Sequence, residues 1–147
     1  MLTGIFVSAK VPAAKLRLLS ANSQIFRGGA VGSPSGTSYK FVVIASASDA
    51  ILKIDQLWIG QEYFEVKVYN QKNGTTTFSK KDTLEIVAKK FNPNDVQLNN
   101  QKQPNPPAQI AVPCKYKGMA LLSYQQGKKR KYLSIKKIET QAPLNHP

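Results

Sequence analysis

Apolar residues recur along most of this chain at every second position, and no stretch sustains the i, i+3, i+4, i+7 spacing of a helical stripe. A period of two lines one face of a pleated strand, so the pattern predicts an all-β protein. Residues 15–20 place Leu16 and Leu18 on one face, and residues 39–47 do the same for Tyr39, Phe41, Val43 and Ala45. Residues 51–59 predict a strand with Leu52, Ile54 and Trp58 on one side. After Gly60, residues 62–69 set Phe64, Val66 and Val68 against Glu65 and Lys67, completing a hairpin. Asn73-Gly74 tolerates positive φ at both positions and predicts a second hairpin running into the β-branched residues 75–77 and Phe78. Residues 83–89 alternate Leu84 and Ile86 with Glu85. Residues 119–125 and 131–139 flank a turn at Gln126-Gly127-Lys128, with Leu121 on one arm and Leu133 and Ile135 on the other.

Seven or eight short antiparallel strands without helices leave a β-sandwich or a barrel as ways to bury the apolar face, and the sandwich is the first expectation. At 147 residues the chain fits one domain, 1–147, able to bury a core without disulfides or metal. Around the strands the sequence predicts an extension at 1–14, a Gly/Ser loop over 28–38, a Pro/Asn/Gln-rich loop over 92–113 and a tail over 140–147.

Three stretches carry a likeness to a known architecture: Gly36-Thr37-Ser38-Tyr39-Lys40-Phe41-Val42-Val43 after the Gly/Ser loop, Leu57-Trp58-Ile59-Gly60, and Ala120-Leu121-Leu122-Ser123-Tyr124. In this order the chain resembles the immunoglobulin-like β-sandwich proteins of bacterial envelopes, from about Lys15 to Glu139. The antibody-type cysteine pair is missing, since Cys114 stands alone. Together with the all-β pattern and the missing catalytic groups, the resemblance implies a non-catalytic, extracytoplasmic (periplasmic, envelope-attached or secreted) binding or accessory module that contacts an anionic polymer or another envelope protein, and it carries over no functional residue. Residues 1–11 have a short apolar run (Leu2, Ile5, Phe6, Val7) without the basic start and longer apolar stretch of a signal peptide. Any signal peptide is therefore expected outside this sequence. No run approaches the roughly 18 apolar residues of a membrane-spanning helix.

Charge narrows the partners. The formal net charge of +13 favours anionic ligands. It is uneven: residues 1–48 contribute +5, residues 49–113 only +1, and residues 114–147 the remaining +7. The densest run is Lys128-Lys129-Arg130-Lys131 at the hairpin tip, with Lys136 and Lys137 farther along the arm and Lys115 and Lys117 upstream. Lys128, Lys129, Arg130, Lys131, Lys136 and Lys137 are the candidate polyanion site. The plain alternative is a solubilising edge, because lysines blunt exposed strands against pairing with other chains. A second reading is an intracellular nucleic-acid-binding barrel that uses the basic knob on phosphates and Tyr124 and Tyr132 for stacking.

Catalytic signals are weak. His146, the one histidine, lies next to the end of the sequence, away from any partner a nucleophilic triad needs. Cys114 lies among Lys115, Tyr116 and Lys117, where cations could activate its thiol, though a small half-buried residue at a strand start is the simpler expectation. The glycines of the 28–38 loop lack the Gly-Lys-Ser/Thr ending and the helix of a phosphate loop. Asp49, Asp55, Asp82 and Asp95 are scattered and form no calcium loop. Trp58, Tyr63 and Phe64 offer either an aromatic platform for sugar rings and bases or core packing, with packing expected for Trp58 and Phe64. The sequence thus predicts no enzyme, no cofactor and no metal.

Prolines cannot donate to a β-ladder, so the 92–113 stretch predicts the first cleavage site in limited proteolysis. Strand fragments released before that cut, read by mass spectrometry, would contradict this.

Overall fold

The computed structural model of the chain describes residues 15–28, 35–92 and 108–145. Among them run nine strands and no helix: β1 (Arg17–Arg27), β2 (Gly36–Ile44), β3 (Leu52–Ile59), β4 (Glu62–Phe64), β5 (Lys67–Asn70), β6 (Thr83–Phe91), β7 (Ala120–Gln126), β8 (Lys129–Ile135) and β9 (Glu139–Asn145). They form a five-stranded sheet in the order β9-β1-β2-β6-β5 and a four-stranded sheet in the order β4-β3-β7-β8. The all-β expectation holds. The strand count is nine rather than seven or eight, and not every pair is antiparallel, because β9 lies parallel to β1.

One core fills the space between the sheets. The five-stranded sheet contributes Phe41, Val43, Leu84 and Ile86, and the four-stranded sheet contributes Leu57, Leu122, Tyr124 and Ile135, all essentially inaccessible to solvent. Full burial of each such side chain is worth about 1.5–3 kcal/mol, enough to make the alternating pattern decide which face of each strand turns inward.

The departures from the sequence pattern have local causes. In β3 an extra residue is inserted between Ile54 and Gln56, which pair with the consecutive residues Tyr124 and Ser123. A bulge of this kind flips the side-chain alternation beyond it. Leu52 and Ile54 point into the main core, Leu57 takes over that role after the bulge, and Trp58 turns to the outer face against Tyr63 and Leu121. The expectation that Leu52, Ile54 and Trp58 share a face is therefore corrected. Residues 62–69 also do not form one hairpin arm. β4 pairs with β3, and after Glu65 and Val66 the chain passes to the other sheet as β5, beside β6.

The predicted strand at residues 75–78 is absent. Asn73 accepts at Oδ1 from the Thr75 backbone N–H at 3.0 Å and from the Thr75 hydroxyl at 2.7 Å, while Asn70 Nδ2 donates to the Thr77 carbonyl at 3.2 Å. Side-chain amides thus take the partners that a ladder would use. Residues 29–34 of the predicted Gly/Ser loop lie outside the described residues, and Gly36, Thr37 and Ser38 belong to β2. Residues 93–107 likewise lie outside the described residues, and the described remainder of 92–113 contains no strand.

The tail expected over 140–147 is strand through Asn145, while His146 and Pro147 lie outside the described residues. Residues 139–144 are all exposed, so β9 is held by main-chain pairing and leaves no apolar alternation in the sequence. Its anchor is Ile138, buried in the core just before it.

Gly118 illustrates how tightly the β7–β8 hairpin is closed. Its φ of 128° is one that side chains rarely adopt, and an added Cβ would lie 2.6 Å from the Ile135 carbonyl oxygen. Gly118→Ala is expected to destabilise the protein by about 2 kcal/mol or more, read as a lower urea midpoint at unchanged slope. A midpoint equal to the parent's would contradict this.

Candidate functional site

The hairpin that carries the basic run forms, though its second arm runs from Lys129 to Ile135 rather than over 131–139. Gln126 pairs with Lys129, leaving Gly127 and Lys128 as a two-residue loop. Gly127 has φ 65°, the left-handed first position that a type II′ turn requires. Only Lys128 of the four consecutive cations sits in the turn. The other three begin β8, an edge strand, and pleating sends them to opposite sides. Lys129 and Lys131 stand on the core-facing side, where Lys131 lies opposite Tyr124, and Arg130 stands on the outer side.

Arg130 is not a free cation. Its Nη1 and Nη2 donate to the two carboxylate oxygens of Asp55, each at 2.9 Å. Nη1 also reaches Gln56 Oε1 at 3.1 Å and the fully buried Ser123 hydroxyl at 2.7 Å. This two-pronged geometry is the strong form of an arginine–carboxylate pair. Hydrogen bonding to Asp55 raises the guanidinium's pKa above its ordinary value. Asp55 is the residue inserted at the β3 bulge.

Lys136 and Lys137 follow the end of β8 at Ile135, so the length of the strand, on the order of 20 Å, separates them from the tip. There they lie near Lys117, whose carbonyl accepts from the Ser134 hydroxyl. The six sequence-chosen cations are thus three groups: Lys128, Lys129 and Lys131 at the tip, Arg130 bound to Asp55, and Lys136 with Lys137 at the opposite end.

The aromatic candidates are buried rather than displayed. Phe64 is in the main core, and Trp58 and Tyr63 form a smaller cluster with Leu121 on the outer face of the four-stranded sheet. Their ring centroids lie 5.6 Å apart. The stretch from residue 108 to 117 lies across this cluster. Trp58 Nε1 donates to the Ile110 carbonyl at 2.7 Å, Val112 and Tyr116 pack on the rings, and the Tyr116 hydroxyl donates to the Gly60 carbonyl at 2.5 Å. Gln109 accepts from the Tyr63 backbone N–H at 3.0 Å and donates to the Tyr63 carbonyl at 3.3 Å. Burial pushes the phenol pKa of both Tyr63 and Tyr116 upward. Cys114 is exposed in this stretch rather than half-buried at a strand start, and it lines an open hollow with Gly60, Gln61, Lys115 and Tyr116.

Of the scattered acids, Asp49 and Asp82 serve the loops: Asp49 Oδ1 accepts from the Phe78 N–H at 3.2 Å, and Asp82 Oδ2 from the Ser79 N–H at 2.8 Å. Asp95 lies outside the described residues. The structural partner Asp55 was missed because nothing in a single sequence marks a bulge. No helix among the described residues is long and apolar enough to cross a membrane. No protein-family model, curated protein or solved structure matches this chain.

Arg130→Ala is expected to cost about 1–3 kcal/mol, because it leaves Asp55 and the buried Ser123 hydroxyl without their partner. Lys128→Ala and Lys129→Ala, both at exposed positions, are expected to stay within about 0.5 kcal/mol of the parent. Urea unfolding of the three variants checks this, and equal midpoints for all of them would refute the structural role of Arg130.

Proposed function

We propose that this chain is a non-catalytic, immunoglobulin-like β-sandwich module that works outside the cytoplasm and binds an anionic polymer through its hairpin tip. The architecture is supported by the strand order. β1-β2-β6-β5 corresponds to the A-B-E-D sheet of that fold and β3-β7-β8 to its C-F-G sheet, with β4 added beside C and β9 beside A. The location rests on the resemblance read from residues 36–43, 57–60 and 120–124.

One observation carries the ligand class. Asp55 neutralises Arg130, the cation with a structural task, while Lys128 and Lys129 stand exposed beside it and take part in none of the ion pairs among the described residues. Exposed lysines recognise charge by counterion release rather than by fixed geometry, which suits a repetitive polyanion. The nucleic-acid reading has less support. Tyr124, one of its two stacking candidates, is 2% exposed in the core, and Tyr132 lies on the outer side of β8 rather than at the tip.

Heparin and duplex DNA serve as probes, titrated at two salt concentrations against the parent and a Lys128→Ala/Lys129→Ala variant. Heparin is expected to bind the parent at low salt, to weaken steeply as salt rises, and to bind the variant about tenfold less tightly. A parent that binds neither polymer at low salt overturns the reading, and directs the search to a protein partner held by apolar contacts.

A further inference from the structure

The hairpin tip does not stand alone. The loop between β2 and β3 is tied on one side to the loop between β5 and β6. The Lys81 N–H donates to the Ala45 carbonyl at 2.9 Å, the Ala45 N–H to the Asp82 carbonyl at 2.8 Å, and the Asp49 N–H to the Phe78 carbonyl at 3.1 Å. On its other side it is tied to the hairpin: the Ser46 hydroxyl donates to Gln126 Oε1 at 2.7 Å, and the Gly127 N–H to the Ile51 carbonyl at 3.0 Å. Three connections from two sheets therefore close one end of the sandwich. The start of β1 belongs to the same end, because Arg17 pairs with Ile44 and Ile44 with Thr83.

Exposed cations converge there, among them Lys15 and Arg17 from β1 and its approach, Lys80 and Lys81 from the β5–β6 loop, and Lys128 and Lys129 from the hairpin. None takes part in an ion pair among the described residues. The acids at this end, Asp49 and Asp82, accept backbone N–H bonds within their loops. Packed sheets lie about 10 Å apart, so the lysine pairs of the two sheets flank the 45–51 loop at a spacing that one extended polyanion can bridge.

Lys81 adds an independent sign. It is the one non-glycine residue with positive φ (76°) among the described residues, a conformation that glycine adopts without strain. A lysine where the backbone favours glycine is a strained outlier, and such outliers cluster at ligand clamps and other functional sites. Of the described aromatic side chains nearest this end, Phe78 and Tyr124 are buried and Tyr69 is half-buried, while the exposed Tyr132 lies farther along β8, so the end itself offers bases little open ring surface.

We infer that the polyanion site is composite, with Lys80 and Lys81 of one sheet acting together with Lys128 and Lys129 of the other on an anionic polysaccharide laid across the end of the sandwich. This rests on the polyanion reading above and adds residues and a ligand class to it.

The test compares heparin binding over a range of salt for the parent and three double variants. These are Lys128→Ala/Lys129→Ala, Lys80→Ala/Lys81→Gly, and Lys136→Ala/Lys137→Ala at the opposite end, each removing the same charge. The first two are each expected to lower affinity about tenfold at low salt. Each should also reduce the slope of log affinity against log salt by about 2, one unit per lost contact. The third should leave the slope unchanged. Lys80→Ala/Lys81→Gly should keep the parent's unfolding midpoint, because glycine suits the Lys81 backbone, so a loss of binding cannot be ascribed to unfolding. A loss with the hairpin variant alone overturns the composite site and leaves the general reading standing. Equal losses with all three variants show attraction by net charge and overturn the site itself. Tighter binding of duplex DNA than of heparin at matched salt overturns the ligand class. A parent that binds neither polymer removes this inference together with the reading beneath it.

Discussion

One inserted residue, Asp55, sets the arrangement of the four-stranded sheet. The bulge it makes in β3 reverses the alternation beyond it, so that Leu57 completes the core and Trp58 is driven to the outer face. The same carboxylate holds Arg130 in a two-pronged pair across β7. Bulge and ion pair support each other. The pair fixes where the extra residue must be, and the bulge brings the carboxylate to the face on which Arg130 stands. An outer Trp58 in turn gives the stretch from residue 108 to 117 an apolar patch to cover.

Strands were legible where alternation coincided with burial. Phe41 and Val43, Leu84 and Ile86, and Leu133 and Ile135 all face the core as their spacing predicts. Legibility failed where backbone geometry, rather than apolar spacing, decided the outcome. The Thr75–Thr77 run has strand-forming residues, yet Asn70 and Asn73 bind its backbone locally and hold it as a loop. β9 has no buried residue over 139–144, so only a partner strand distant in sequence reveals it. The immediate neighbours of Trp58 gave no sign of its change of face, because a bulge is a property of two strands together.

The basic run was visible as a string of letters, but its division was not. Pleating and a distant aspartate separate Arg130 from Lys129 and Lys131, and the length of β8 separates Lys136 and Lys137 from all three. Conversely, Lys80 and Lys81 are nearly fifty positions from the tip in sequence. They come to the same end of the sandwich as the tip because the 45–51 loop is hydrogen-bonded to both connections.

Gln109 has a consequence for how the molecule meets other chains. The two hydrogen bonds of its amide to Tyr63 are the same donor and acceptor contacts that an added strand would make to the outer edge of β4. A single side chain thus impersonates a neighbouring strand at the centre of a three-residue edge. The opposite edge, β8, is guarded differently, by Lys129 and Lys131 on its core-facing side, which an incoming sheet would have to desolvate. Both rims of the four-stranded sheet are therefore guarded against an added strand, one by mimicry and the other by charge.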